Sequence, residues 1–280
     1  MDAGKTGIVW IVATPIGNLG DVSERSREVL RSVSVVAAED TRHSRALLKH
    51  LGITTPMVAL HEHNERAVVP QLLAKVRAGE NVALISDAGT PLVSDPGYRL
   101  VRAAREAGIR VSPVPGACAV IAALSVAGLP SDRFVFEGFL PPKSSARRAR
   151  LRELAGQERT LVLYESSHRI QACCEDLRDV FGPGREAALL RELTKLHETW
   201  LGPTLGDIAA RVADDPEQRL GEFVLVVAGA GDEADAKLAE GRRVFALLRA
   251  ELAPAQAAKL AASISGAPRK MLYESGSRER

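Results

Sequence analysis

The chain has 280 residues, 46% of them hydrophobic and 26% charged, and a formal net charge of +2 at pH 7. This composition is ordinary for a globular protein, the length allows two domains, and the balanced charge does not by itself indicate nucleic-acid binding. No apolar run approaches the roughly 18 residues that span a bilayer, and three cysteines, two of them adjacent, are too few and too badly spaced for a zinc site. We expect a cytoplasmic protein in a reducing compartment, with no membrane segment and no metal site.

Strand-like and helix-like segments alternate from the start of the chain to about residue 230. In the first half the predicted strands are 8–13, 34–38, 57–60, 82–86 and 110–113. The predicted helices between and after them are 22–31, 43–51, 64–78, 96–107 and 117–127. This order predicts an α/β domain over residues 1–128, with a largely parallel sheet and helices on both faces.

A second set of elements follows the linker-like segment 128–132. Its predicted strands are 134–138, 159–164, 187–191, 197–201 and 222–229, and its predicted helices are 144–155, 167–181 and 204–213. They predict a second α/β domain over residues 129–231. Residues 232–280 lack strand signals and predict a helical extension with helices at 233–251 and 254–264.

The segment Ser86–Gly97 follows the fourth predicted strand and carries Asp87 and Asp95 between Gly/Pro turns. A buried strand that ends in such a loop is where an open α/β sheet builds a ligand crevice. Gly89 allows a positive φ and a close ligand approach, while the prolines remove amide donors. The loop therefore favours a polar or cationic ligand over a phosphate, which needs many free amides. A pair of ordinary turns is the alternative.

Other motifs also stand at predicted strand ends. Thr14–Asn18 forms a tight turn, Glu39–His43 brings acids and cations into one helical turn, and Pro113–Ala119 offers small side chains that leave room for an adenosine-sized ligand. Tyr164–Arg169 and Arg191–Thr199 each place an acid beside a cation, as proton transfer requires. Turns, a helix N-cap, close helix packing and exposed salt bridges are the structural alternatives.

Two basic segments stand out against the balanced total charge. The first lies within one ten-residue span and comprises Lys143, Arg147, Arg148, Arg150 and Arg152. The second is in the C-terminal region and comprises Arg242, Arg243, Lys259, Arg269 and Lys270. Such segments can either form an ordinary solvated surface or contact phosphates, and the sequence leaves both alternatives.

Taken together, the motifs resemble the tetrapyrrole methylase superfamily, and more closely its ribosomal RNA branch, the small-subunit methyltransferase I family. The match extends over essentially the whole chain and is most specific in Thr-Pro-Ile-Gly-Asn at 14–18, Glu-Asp-Thr-Arg at 39–42 and Ser-Asp-Ala-Gly-Thr-Pro at 86–91. The resemblance implies two α/β domains with S-adenosylmethionine in the cleft between them, usually in a homodimer. It further implies methylation of a cytidine ribose 2′-hydroxyl at the decoding centre of small-subunit ribosomal RNA, in the assembled subunit.

The loop chemistry and the resemblance together place the cofactor against eleven residues: Pro15, Asp87, Gly89, Thr90, Pro91, Val93, Cys118, Ala119, Tyr164, Glu165 and Gly221. One departure from the family pattern is the pair Ala117-Cys118, where the family commonly has Pro-Ser. A hydroxyl hydrogen bond to the cofactor then becomes a weaker thiol one. We expect cofactor binding to survive this change.

Methyl transfer to a ribose requires alignment of the oxygen with the sulfonium methyl and removal of a proton from a poorly acidic hydroxyl. The candidate bases are Glu165, Glu192, Asp40, His168 and Lys195. A lysine can serve only if burial or neighbouring cations lower its pKa. We rank Glu192 with Lys195, and Glu39 with Asp40 and Arg42, first as catalytic or ribose-orienting groups.

The predicted RNA contacts are Lys143, Arg147, Arg148, Arg169, Arg269 and Lys270. Segment 265–273 is similar to a turn and a recognition-type helix, whose first residues could touch phosphates. A methyltransferase for a small heterocycle and a non-catalytic RNA-binding protein remain alternatives. The basic segments favour the ribosomal RNA enzyme over the former, and the cofactor loop favours it over the latter.

Overall fold

The computed structural model of the chain describes residues 6–231 and 233–275. Its first sheet has five parallel strands in the order β3-β2-β4-β1-β5. These are β1 (Ile8–Val12), β2 (Val35–Ala38), β3 (Met57–Ala59), β4 (Val82–Ile85) and β5 (Arg110–Val114). The predicted strands of this half are confirmed to within one residue, because short apolar runs bounded by turn residues mark them locally.

Helices cover both faces of the first sheet. They are α1 (Glu24–Ser32), α2 (Thr41–His50), α3 (Glu65–Arg77) and α4 (Tyr98–Glu106), and α5 (Ala119–Val126) follows β5. Helices α1 and α2 pack on one face and α3 and α4 on the other, since Leu30 and Leu48 lie in one core cluster and Leu72 and Leu100 in another. Strands β2 and β4 are therefore buried throughout, as expected for a parallel sheet between two helical layers.

The second sheet is mixed, in the order β6-β7-β10-β8-β9. Its strands are β6 (Phe134–Phe139), β7 (Thr160–Ser166), β8 (Ala187–Arg191), β9 (Thr199–Leu201) and β10 (Glu222–Val227). Only β6 and β7 pair in parallel, while β10 runs antiparallel to both of its neighbours. Helices α6 (Ser144–Leu154), α7 (Ile170–Phe181) and α8 (Leu205–Asp214) cover one face of it.

The other face of the second sheet is covered by α5, which follows the first sheet in the chain. Val120 and Leu124 of α5 share a core cluster with Val162, Leu190 and Val224 of the second sheet. The segment from 119 to 126 is almost entirely apolar, and it buries Val120, Ala123 and Leu124 against the second sheet while Ile121 and Val126 stay exposed. This packing joins the two sheets and sets the space between them.

The C-terminal helices are α9 (Glu233–Leu248), α10 (Pro254–Ser265) and α11 (Arg269–Ser275). They enclose a small core of their own that includes Phe245, Ala257, Ala261 and Leu272. Gly266, in the left-handed conformation, ends α10 and turns the chain into α11. The predicted extension of 232–280 is thus helical where it is described; residue 232 and residues 276–280 lie outside the described residues.

Within the described part of the chain, no helix is both long and apolar enough to cross a membrane. The same residues contain no group of three or more histidine, cysteine, aspartate or glutamate side chains placed to hold a metal ion.

Candidate active site between the two sheets

A cavity of about 470 Å³ lies where the loop after β4 and the start of α5 face the ends of β7, β8 and β10. This volume is in the range of small-molecule and cofactor sites. One part of its wall is apolar and includes Ile16, Val93, Leu190 and Leu193. Another part is acidic and comprises Asp87, Asp95, Glu165 and Glu222.

The loop after β4 is held in place from two sides. Gly89 and Thr14 exchange two backbone hydrogen bonds, of 2.9 and 3.1 Å, which tie it to the end of β1. The Thr90 hydroxyl donates to the Ala117 carbonyl at 2.9 Å, which ties it to the start of α5. A Cβ on Gly89, whose φ is +79°, would stand 3.2 Å from Cγ2 of Ile16, so this position is suited to glycine.

The same loop stores backbone strain. Leu92 and Ser94 have φ values of 73° and 66°, a region that side chains other than glycine rarely adopt. Such strain persists only where the surroundings fix it, and it is concentrated in functional sites. The ordinary-turn alternative is therefore less favoured for this loop than the ligand-crevice interpretation.

Most of the predicted cofactor contacts come together at the cavity. Nine of the eleven line it: Asp87, Gly89, Thr90, Val93, Cys118, Ala119, Tyr164, Glu165 and Gly221. Pro15 and Pro91 do not, and the first turn contributes Ile16 instead. Their roles toward the cofactor remain predictions.

Several further wall residues are outside the set predicted to contact the cofactor. They are Ile16, Ala88, Ser94, Asp95, Phe139, Ser166, Ser167, Leu190, Leu193, Glu222, Phe223 and Val224. Their positions in or beside the motifs at the strand ends were the available signal. Leu190 and Val224 could not be predicted as wall residues, because an apolar residue within a strand pattern indicates only a core position.

Two carboxyl groups at this edge of the first sheet have raised pKa values. Burial, together with the nearby charge of Asp87, raises the pKa of Asp95 to about 6, although a hydrogen bond with Ser86 opposes the shift. Burial, followed by repulsion from Asp95 and Asp87, also raises the pKa of Glu39. Carboxylates that gather without cations become better proton acceptors near neutral pH.

Asp40 has a defined structural role beside this group. Its carboxylate accepts a hydrogen bond from the Arg42 amide at 2.7 Å and so caps α2, which confirms the N-cap alternative for this residue. Its own amide donates to Oδ1 of Asp87 at 3.1 Å. The start of α2 is thereby fixed to the wall of the cavity.

Glu192, Lys195 and Glu222 form a charged network at the opposite edge. Nζ of Lys195 lies 2.8 Å from Oε1 of Glu192 and 2.9 Å from Oε2 of Glu222. A Cβ on Gly17 would stand 2.3 Å from Cγ of Lys195, so the turn after β1 and the loop after β8 meet here.

Proton abstraction by Lys195 is not supported by this network. Desolvation alone would lower the pKa of Lys195, but its hydrogen bonds to the two glutamates outweigh it and raise the pKa. The neighbours are anions rather than the cations that a lysine base requires. Burial opposes the shift of Glu192 as well, yet the bonds from Lys195 and from the Glu222 amide hold its pKa low. The network of Glu192, Lys195 and Glu222 is therefore suited to orienting a substrate rather than to taking a proton from it.

The other two candidate bases differ in position. The carboxylate of Glu165 is fully buried; it accepts from the Ser166 amide at 2.8 Å and from Nη2 of Arg169 at 2.9 Å. His168 is exposed and is not part of the cavity wall. Arg169 also donates to the Leu140 carbonyl, so its guanidinium braces Glu165, and its contact with RNA remains a prediction.

Two family models match the chain, one over most of the two sheets and one over the C-terminal helices. Residues 9–209 match the family model of the tetrapyrrole (corrin/porphyrin) methylases, and residues 235–276 match that of the RsmI C-terminal HTH domain. The chain is 59% identical to a ribosomal RNA small subunit methyltransferase I of Xylella fastidiosa, over 95% of this chain and 98% of the relative. For the proteins of the same name from Pseudomonas aeruginosa and Escherichia coli O157:H7, the identities are 54% and 52%, with at least 94% of each chain covered.

The chain belongs to the ribosomal RNA small subunit methyltransferase I family of tetrapyrrole methylases. The predicted family and the predicted class of S-adenosylmethionine-dependent methyltransferase are confirmed. The α/β architecture with a helical extension is confirmed as well.

Solved structures agree on the fold. A uroporphyrin-III-C-methyltransferase from Thermus thermophilus matches with a TM-score of 0.54 at 24% identity, covering 79% of this chain and 94% of that one. A cobalt precorrin-4 methyltransferase matches with a TM-score of 0.59 at 15% identity and the same coverage.

The cavity fits the methyl donor of this family. S-adenosylmethionine carries a sulfonium and an ammonium cation besides one carboxylate. No lysine or arginine is among the wall residues, and Asp87 and Asp95 line the cavity, whereas Glu165 is paired with Arg169 and Glu222 with Lys195. Its adenine is flat and largely apolar, which suits Ile16, Leu190 and Leu193. Backbone exposed at Gly89 allows close approach. A cavity with carboxylates on one side and an apolar surface on another therefore suits this cofactor.

The predicted RNA contacts on α6 need correction. Arg147 is 2% exposed, and its Nε donates to Oδ2 of Asp176 at 2.7 Å, so the prediction that it binds RNA is wrong. Arg148 donates to Asp176 and to Asp179, at 3.0 and 3.1 Å. The acids come from the neighbouring helix α7, which the sequence of α6 does not reveal.

The remaining predicted RNA contacts are accessible. Lys143 is exposed where α6 begins, and Arg269 and Lys270 are exposed in the first turn of α11. Helices α10 and α11, joined through Gly266, form the helix-turn-helix that the family match describes. Contact of these three residues with RNA remains a prediction.

Proposed function

We propose that this chain transfers the methyl group of S-adenosylmethionine to the ribose 2′-hydroxyl of a cytidine at the decoding centre of small-subunit ribosomal RNA. We further propose that it acts in the cytoplasm as a homodimer on the assembled small subunit. The observation that carries the proposal is the near-complete match to proteins named ribosomal RNA small subunit methyltransferase I, which includes the C-terminal helical unit.

The C-terminal unit favours RNA over a small heterocycle as the substrate. The two tetrapyrrole-related structures named above cover 79% of this chain, whereas the ribosomal RNA relatives cover 95% or more. A helix-turn-helix with Arg269 and Lys270 in the first turn of its second helix suits phosphate contact. Methylation of a tetrapyrrole does not require a phosphate-binding unit.

Residues of the cavity, and Lys195 beside it, divide the work between binding and proton transfer. S-adenosylmethionine, when bound, supplies an electrophilic methyl group. Asp87 and Asp95 neutralise a cationic ligand, while Ile16 and Leu193 exclude water from one side of it. Protonated Lys195 donates hydrogen bonds at the opposite edge and orients the ribose.

The acidic group at the first sheet is best suited to accept the ribose proton. The pKa values of Glu39 and Asp95 are raised, that of Asp95 to about 6, and a raised pKa makes a carboxylate a stronger proton acceptor. Glu192 is a weaker base because its hydrogen bonds hold its pKa low. The proton of the 2′-hydroxyl would pass to a carboxylate of this group as the oxygen takes up the methyl carbon, while the methyl–sulfur bond breaks and its electron pair stays on the sulfur of the departing thioether.

The test is a labelling experiment with methyl-labelled S-adenosylmethionine and small ribosomal subunits that lack the modification. Digestion of the RNA should give label in 2′-O-methylcytidine at one site. Label in another nucleoside, or in none despite measurable cofactor binding, would reject the proposal. Parallel reactions with naked ribosomal RNA test the requirement for an assembled subunit, and the mass in solution tests the homodimer.

A further inference from the structure

Helix α2 begins at the edge of the candidate active site. The amide of its N-cap residue, Asp40, donates to Oδ1 of Asp87, and Asp87 lines the cavity. The first turn of α2 is therefore fixed beside the reaction site. Whatever the outer face of this helix binds is held next to the cavity.

The outer face of α2 carries three exposed cations, Arg42, Arg45 and Lys49, which we call the α2 ridge. Their spacing of three and four residues places them on one stripe of the helix. Seven residues of helix extend over about 10 Å. Ser44 and Leu48, on the other side of the helix, are buried against the sheet.

The ridge cations have no partner in the fold. Among residues 6–231 and 233–275, no hydrogen bond or ion pair engages the side chains of Arg42, Arg45 and Lys49. Helix α2 itself contains no acidic residue. The positive charge of the ridge is therefore available to an external anion.

A surface groove runs along the ridge. It has a volume of about 500 Å³ and is lined by Arg45, Leu48 and Lys49 of α2 and by residues 52–57, which end at the first residue of β3. Exposed Thr54 adds a hydroxyl group beside the two cations, whereas the Thr55 hydroxyl already donates to the Leu30 carbonyl at 2.7 Å. Cations beside hydroxyl groups are the contacts that phosphates and ribose receive in RNA complexes.

We propose that the α2 ridge binds phosphates of the RNA strand that carries the target nucleotide and holds that nucleotide over the cavity. The inference rests on the proposed function, since RNA is the polyanion that the family match indicates. Exposed cations that no carboxylate engages create a local positive potential, strongest at Arg45 and Lys49, farther along the helix from Asp40, and this favours a polyanionic partner. Arg42 lies nearest the cavity, and Arg45 and Lys49 continue the track away from it.

The test compares two doubly neutralised variants of the full chain. Arg45→Gln with Lys49→Gln removes two ridge charges without touching Arg42. Arg66→Gln with Arg77→Gln, on α3 and on the opposite face of the first sheet, removes two exposed and unpaired charges as a matched control. The dissociation constant for small ribosomal subunits is measured against salt concentration, together with labelling at saturating subunits and cofactor affinity.

We expect the ridge variant to bind subunits about 10-fold more weakly at low salt, and the slope of log affinity against log salt to shrink by about 1.4. Cofactor affinity and labelling at saturation should not change, and the control should match the wild-type chain. If the slope of log affinity against log salt is the same for the two variants, the proposal that the α2 ridge binds RNA is wrong. The proposal is also wrong if the ridge variant loses affinity for subunits because its mass in solution has changed, since the ridge would then be an interface between copies of the chain.

Failure of the proposed function gives a different result. A wild-type chain that binds subunits but labels no RNA rejects the methylation proposal. The salt dependence of binding, compared between the ridge variant and the control, still tests whether the α2 ridge contacts RNA.

Discussion

Helices α2 and α6 are both rich in arginine or lysine, but their charges have different fates. On α6, Arg147 and Arg148 pair with acids of α7, and Arg150 pairs with Glu137 of β6 and with Glu153. On α2, the three ridge cations have no partner among the described residues. The density of basic residues in a sequence therefore does not measure the charge that a partner can reach.

The physical difference lies in burial. The Arg147 guanidinium is out of water, so it needs Asp176 to compensate the cost of desolvation. An exposed arginine or lysine keeps its hydration and needs no such partner. The first arrangement contributes to the fold, and the second leaves a charge for binding.

The largest expected effect is that of Arg147→Ala. This change leaves Asp176 buried without its main partner, so we expect the free energy of unfolding to fall by about 3 to 5 kcal/mol, as measured by urea denaturation. Arg152→Ala, on the same helix but exposed and unpaired, is the control and should change it by less than about 0.5 kcal/mol. Equal effects of the two changes would contradict the assignment of α6 to the fold.

Acid should weaken the same pair. Burial would raise the pKa of Asp176, but hydrogen bonds from Arg147, Arg148 and Ser144 outweigh it and lower the pKa. The stabilisation is therefore present above the unfolded-state pKa, about 3.9, and is lost as pH falls below it. Asp176→Asn should flatten the stability curve between pH 5 and pH 2. An unchanged curve would show that the pair does not titrate as described.

Asp95 should give the opposite dependence on pH. Its pKa is raised to about 6, so the folded state is penalised as pH rises from about 4 through 6. We expect Asp95→Asn to stabilise the chain at pH 7 by about 1 kcal/mol after allowance for solvent screening. Affinity for S-adenosylmethionine should also fall below pH 6 in the wild type and lose that dependence in the variant. A cofactor affinity that is constant with pH in the wild type would separate Asp95 from cofactor binding.

The smallest expected effect on stability is that of the ridge. Arg45→Gln and Lys49→Gln should each change the free energy of unfolding by less than about 0.5 kcal/mol, because both side chains are exposed and unpaired. Thermal unfolding of the two variants measures this directly. If either variant loses as much unfolding free energy as Arg147→Ala, the cations of α2 stabilise the fold as those of α6 do, and they are not free for binding.

Much of the fold could be predicted from the sequence, because the signals are local. Apolar runs located the strands of the first sheet, and the glycine and proline residues of Ser86–Gly97 located the main loop of the cavity. The N-cap at Asp40 could also be read from the sequence, since a cap depends on residues within one turn. The antiparallel pairing of β10 could not, because it depends on strands distant in the chain.

By itself, the sequence determined the α/β elements, the loops at the strand ends and the family, since each follows from neighbouring residues or from motifs in a fixed order. Only the tertiary structure decided that α5 packs on the second sheet, that Arg147 is neutralised by Asp176, and that Lys195 stays protonated between two glutamates. Asp176 lies 29 residues from Arg147, and Glu222 lies 27 residues from Lys195. Burial and charge depend on which groups meet in space, and local sequence does not contain that information.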